Sequence, residues 1–211
     1  MSDFGFDLRA YYLAMQHSDH SNFCFLNSFS EIFADHWLAK MHSVIKSQGV
    51  GLVGATGSWE SMYSNVRGCE ETGQSQSVGA RLWRPFRLQL CKLFFQPFPN
   101  WHVRTNAFII SRELALRFWP RLIPTKRNAY LFEAGKKGLT ARVMESGLDV
   151  FVIGRDGRAY SKEEWPNSKT YRAGNQENLL VADKQTDCYQ KADPAERRHL
   201  AQAAWGDRAF E

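Results

Sequence analysis

The chain has 211 residues, 44% of them hydrophobic, enough for one sizeable core and too apolar for a disordered segment. No apolar run reaches the roughly 18 residues that a membrane-spanning helix needs, and the first ten residues carry Asp3 and Asp7 without a basic start, so they do not read as a secretory signal. Net charge is +5 but unevenly spread: residues 72–111 hold no Asp or Glu while including Arg81, Arg84, Arg87, Lys92 and Arg104, a local positive surface suited to phosphate, nucleic acid or an anionic membrane.

In chain order, residues 8–16 read as a helix, and 23–26 as a short buried strand ending at Asn27-Ser28-Phe29-Ser30. Ser30 stands where an N-cap would be, ahead of a helix through about residue 47 with Ile32, Phe33, Trp37, Leu38, Met41 and Ile45 on one face. Val50 to Gly54 make a second strand, turning at Ala55-Thr56-Gly57-Ser58. Residues 64–79, rich in Gly, Ser and Gln, read as a long surface loop. Pro85 suits the first turn of a helix over about 84–95, with Leu82, Phe86, Leu90, Leu93 and Phe94 along one stripe. That stripe packs into a core or lies on an anionic membrane.

A third strand is expected over 103–111, a helix over 112–119 stopped by Pro120, and a helix over 139–146 closed by Gly147. Residues 150–153 make a fourth strand, and 193–204 a helix with Pro194 in its first turn. Short buried strands alternating with helices predict an α/β protein with a mostly parallel mixed sheet and helices on both faces. One domain over 1–211 is expected, with a core over about 5–155 and a C-terminal extension over 156–211.

Cys24, Cys69, Cys91 and Cys188 lie far apart with no Cys-x-x-Cys pair, and read as reduced, mostly buried thiols of a cytoplasmic protein. The six histidines show no i, i+4 pairing that would build a metal site. No reader motif supports nucleic-acid binding, and the Gly54 to Ser58 turn lacks the Lys-Ser/Thr of a P-loop.

Five short patterns remain: Asp7-Leu8-Arg9-Ala10-Tyr11 before the first strand; Phe25-Leu26-Asn27-Ser28-Phe29-Ser30 at its end; the glycine-rich run from Gly51 to Gly57; Asn106 to Glu113; and Phe132-Glu133-Ala134-Gly135, followed by Leu139-Thr140-Ala141-Arg142 and Gly147. Their order, over about residues 5–155, resembles the second half of a GT-A-type glycosyltransferase, of the large inverting family and the rhamnan-synthesis-type enzymes. The resemblance implies transfer of a hexosyl or deoxyhexosyl group from a nucleotide-sugar to a surface polysaccharide or glycolipid precursor. By it, Glu133 would be the general base; Asp7, Asn27, Ser28 and Ser30 would face the donor diphosphate; and Arg104, Asn106, Arg112 and Arg142 would hold substrate. A lipid-linked acceptor would suit a cytoplasmic enzyme held peripherally at the inner face of the membrane through residues 81–95.

Two departures bear on this. The chain lacks the family's N-terminal nucleotide-binding βαβ unit, and Asn27-Ser28-Phe29 stands in place of its Asp-x-Asp. An amide, a hydroxyl and a phenyl ring are a poor set for Mg²⁺ or Mn²⁺, which want carboxylate oxygens. The alternative is therefore a non-catalytic sugar- or partner-binding relative that has lost donor binding. Taken singly, Glu133 also reads as a helix-start carboxylate complementing the dipole of the following helix. Arg112 reads as one half of a structural ion pair, with Arg104 the more functional of the two. Asn175-Gln176, Asp183, Gln185-Thr186 and Tyr189 read as an acceptor groove or as turn chemistry.

Overall fold

The computed structural model describes residues 6–65, 84–120 and 125–210; most of the expected surface loop, Leu82 and Cys69 lie outside them. The chain runs from α1 (Phe6–Gln16) through β1 (Asn22–Leu26) and the two-residue β2 (Glu31–Ile32) to α2 (Trp37–Ile45). Then come β3 (Val50–Gly54), β4 (Gly57–Ser58), α3 (Arg84–Phe94), β5 (His102–Val103), β6 (Ala107–Ser111) and α4 (Arg112–Phe118). α5 (Lys126–Ala134), α6 (Leu139–Glu145), β7 (Asp149–Ile153) and β8 (Ala159–Tyr160) follow. β9 (Val181–Ala182), α7 (Lys184–Lys191) and α8 (Pro194–Trp205) come last.

The main sheet has the order β1-β6-β3-β7-β8. β6 runs antiparallel to both β1 and β3, β3 and β7 are parallel, and β8 turns back on β7. The expected mostly parallel sheet is thus corrected to a mixed sheet with mostly antiparallel pairings. The apolar runs of β3, β6 and β7 foretell burial on both faces, which a reversed strand satisfies as well as a parallel one. β1, β3 and β7 nevertheless point the same way, so their carboxyl ends share one edge with the amino end of β6.

The strand expected over 103–111 is broken at Arg104–Asn106. β5 pairs with β4 in a separate ribbon, and the Arg104 amide donates to the Thr56 carbonyl at 3.0 Å. The helix expected from Ser30 begins only at Trp37. Glu31 and Ile32 pair instead with Ala182 and Val181, and His36 takes a left-handed conformation (φ 55°) just ahead of the helix. Met41 and Ile45 are buried, whereas Ile32 and Leu38 stay exposed.

Both faces of the sheet are covered. On one, α1, α4, α5 and α6 bring Met15, Phe118, Phe132 and Val143 against Leu52, Phe108 and Val152. Trp119 sits within this layer, its ring packed near those of Phe25, Phe108 and Phe132. On the other face, Met41 and Ile45 of α2 cover Val53, Ile109 and Ile153 together with Leu180 and Val181. The C-terminal segment joins both layers, with Leu180 and Val181 on this face and the fully enclosed Trp165 and Trp205 on the first.

Gly54 at the end of β3 and Gly57 in β4 serve close packing. A Cβ on Gly54 would run into the Val103 side chain, and one on Gly57 would stand 2.7 Å from the Trp165 ring. Cys24 and Cys91 are half-buried and Cys188 is exposed, all as free thiols, so the expected mostly buried set is corrected among the described residues. No described helix is long and apolar enough to cross a membrane.

Candidate functional site

A cleft of about 300 Å³ opens beyond the carboxyl end of β1 and the amino end of β6. α1 contributes Asp7, Leu8 and Tyr11, the end of β1 contributes Asn27, and the turn before β6 contributes Thr105. The opposite wall is α5, whose Lys126, Ala129, Tyr130 and Glu133 recur at helical spacing on one face. Thr125 starts that helix by accepting the Asn128 amide on its hydroxyl.

Glu133 lies in the last turn of α5, not at a helix start, so the reading of it as a dipole-complementing first-turn carboxylate is corrected. A carboxylate at a helix C-terminus is opposed by the macrodipole and needs other donors. Thr105 supplies them: its backbone amide donates to Glu133 Oε2 at 2.8 Å, and its hydroxyl donates to the same oxygen. Oε2 is thereby fixed, leaving Oε1 for another proton.

Across the cleft, Asn27 Oδ1 accepts the Phe29 amide at 3.0 Å, an Asx turn that ends β1. Ser30 Oγ lies 3.0 Å from that same oxygen and 3.1 Å from the Asn106 carbonyl, sharing its one proton between them. Ser28 donates to Asp7 Oδ1 at 3.3 Å. The four residues read as facing a donor thus gather at one place, but the Asn27 and Ser30 side chains hold the turn together. The Tyr11 hydroxyl donates to the Leu26 carbonyl at 2.5 Å. Burial, with Asp7 adding to it, pushes that phenol well above its ordinary value, so it stays a protonated donor.

A divalent cation does not fit here. Among the described residues that line the cleft, Asp7 is the one carboxylate on the Asn27 side, and the Asn27 oxygen is already turned to its own backbone. Among the described residues no three His, Cys, Asp or Glu side chains come together in a metal-binding group.

The residues read as holding substrate lie elsewhere. Arg104 is buried, with Nη2 2.6 Å from Asp183 Oδ2 and its guanidinium 4.2 Å above the Tyr171 ring. Asn106 is buried too, accepting from the Thr56 hydroxyl at 2.6 Å and donating to the Val181 carbonyl at 3.4 Å. Arg112 donates from Nε to the Met15 carbonyl, and Arg142 from Nη1 to the Phe118 carbonyl, each at 2.9 Å. The internal ion pair expected of Arg112 therefore belongs to Arg104. Of the polar tail residues, Asp183 caps α7 and Gln176 donates to the Thr186 carbonyl at 3.0 Å, so they are turn chemistry rather than a groove.

The chain matches no family model, no curated protein and no solved structure.

Three residues of the cleft escaped sequence reading: Tyr11 as a donor, Thr105 as the anchor of Glu133, and Lys126 at the start of α5. The spacing of Lys126, Tyr130 and Glu133 was available as a signal once a helix over 126–134 is assigned. Behind the cleft sits a second polar group that no local motif announces. His102 is buried and donates from Nδ1 to the Asn100 carbonyl at 2.8 Å; burial, only partly opposed by Glu133, holds its imidazole below the ordinary value and hence neutral. Arg172, left-handed at φ 45°, pairs with Glu60 at 3.1 Å and hydrogen-bonds Gln185 at 2.9 Å, and its Nε has no partner among the described residues.

Proposed function

We propose that the cleft between Asp7, Asn27 and Glu133 transfers a sugar from a nucleotide-sugar to a hydroxyl of a glycan or lipid-linked acceptor. The observation that carries this reading is the double donation of Thr105 to Glu133. It holds one carboxylate oxygen of a residue that lines the cleft between the end of β1, the turn before β6 and α5, and leaves the other oxygen as the acceptor. Glu133 Oε1 takes the proton of the acceptor hydroxyl as that oxygen bonds to the anomeric carbon. The bond from the anomeric carbon to the diphosphate breaks in the same displacement, and the nucleoside diphosphate leaves with the electron pair. Lys126, exposed at the first turn of α5, adds positive charge beside that leaving group, as does the helix N-terminus.

A second reading, a sugar- or partner-binding protein without turnover, is favoured by a specific observation: Arg104 and Asn106 are tied into the interior rather than offered to substrate. Glu133→Gln separates the two. In the first reading it keeps the cleft's shape, lowers transfer from nucleotide-sugars by about 10²-fold or more, and leaves donor affinity unchanged. Transfer that survives the substitution removes Glu133 from the chemistry. A wild-type chain that binds glycan yet turns over no nucleotide-sugar supports the binding reading.

A further inference from the structure

The other face of α5 closes a larger cavity, of about 540 Å³, within the range of small-ligand sites. Leu131 and Phe132 of α5, Leu93 and Phe94 of α3, and Phe118 with Pro120 make its apolar walls. Lys136, Lys137 and Arg142 line it as well, and among the described residues no carboxylate does. Among the described residues none of these three cations forms an ion pair. The apolar lining continues onto the surface: Leu93 is 65% and Phe94 38% exposed, so the end of the α3 stripe is turned to solvent instead of the core. The Lys136 amide donates to the Phe94 carbonyl at 2.8 Å, which holds the cationic turn against that apolar end.

An apolar cavity opening beside exposed apolar side chains, bordered by charge of one sign, is complementary to an amphiphile with an anionic head. We propose that this cavity takes a hydrocarbon chain of an anionic phospholipid while Lys136 and Lys137 meet its phosphate, docking the protein on an acidic bilayer. A bilayer supplies both halves together, and its negative surface draws a cluster of unpaired lysines. The site stands apart from the cleft, across α5 from Glu133, and needs no catalysis to operate.

Sedimentation of the full chain with sucrose-loaded vesicles tests this, comparing phosphatidylcholine alone with phosphatidylcholine containing phosphatidylglycerol. Binding is expected only to the anionic vesicles, weakening with salt. Lys136→Glu with Lys137→Glu should reduce it by about tenfold or more, and Leu93→Ser should reduce it too, with the far-UV spectrum of each variant unchanged. No anionic-vesicle binding, or binding that the double charge reversal leaves intact, overturns the proposal. Binding insensitive to Leu93→Ser, or abolished by millimolar inorganic phosphate, reduces the site to a phosphate contact and overturns the lipid assignment. A dimer in light scattering that Leu93→Ser disperses, without vesicle binding, makes the occupant a second copy instead. Each readout is independent of sugar transfer, so failure here leaves the assignment of Glu133 standing.

Discussion

The Arg104–Asp183 pair puts two opposite charges 2.6 Å apart in the interior, and Asp183 Oδ1 also accepts the Gln185 and Thr186 amides that start α7. Burial by itself would raise the Asp183 carboxyl, but the Arg104 charge and its hydrogen bond outweigh it and hold the group below the ordinary carboxylate value. Removing one partner strands a buried charge, so Asp183→Ala should cost about 3–5 kcal/mol in urea unfolding. Replacing both, by Arg104→Met with Asp183→Asn, should cost far less, because no lone charge remains. The pH dependence follows from the depressed folded value. The pair's contribution is fully present above the unfolded carboxylate pKa of about 3.9 and is lost as pH falls through the folded value. Below pH 4 the stability of the double variant should therefore fall less steeply than that of the wild type. Equal costs for the single and double changes would show that the pair is not the organising contact.

At the scale of elements, what was legible depended on whether the deciding partner was near in sequence. α6 with Gly147, and α8 with Asp193 and Pro194, carry their own start and stop signals and stand where the residues predict. The start of α2 does not, because Ser30 resembles an N-cap while its hydroxyl is claimed by Asn27 and the Asn106 carbonyl. Ile32 fits a helical stripe, yet it pairs with Val181, a partner no local pattern reveals. The glycines near the end of β3 were read as a strand-end turn; their packing role comes from β5 and Trp165 pressing on the backbone. Gly54→Ala should accordingly destabilise by about 1–3 kcal/mol, the scale of core overpacking. Val103→Ala should restore part of that loss when combined with it. A Gly54→Ala protein as stable as the wild type in urea would mean that β5 yields freely.

For the molecule as a whole, burial on both sheet faces was readable and strand direction was not. Apolar runs such as Ala-Phe-Ile-Ile in β6 report two covered faces whichever way the strand points. The site divides along the same line. The place of Asn27 was legible because it follows from local position at the end of β1, whereas the helix that carries Glu133 to the same cleft was not announced. The fates of Arg104 and Asn106 were not, since Asp183 and Val181 come to them from a distant part of the chain.

The strand order also dictates when the sheet can be assembled. β1 and β3 are early in the chain, yet their common partner β6 sits between them in space and far later in sequence, as the pairing of Asn22 with Ser111 makes plain. Neither early strand can be zipped to its neighbour until a long intervening segment has been gathered in, and that closure is charged to the entropy of the chain before any pairing returns it. Nucleation is therefore global rather than local, and refolding from urea should proceed in milliseconds to seconds, not microseconds. Stopped-flow tryptophan fluorescence reads it directly. Trp119 acquires its aromatic neighbours Phe25 and Phe108 only when β1 and β6 are joined, so its environment is the natural clock for that step. Complete recovery of the native signal within microseconds would place the rate-limiting event in local helix formation instead.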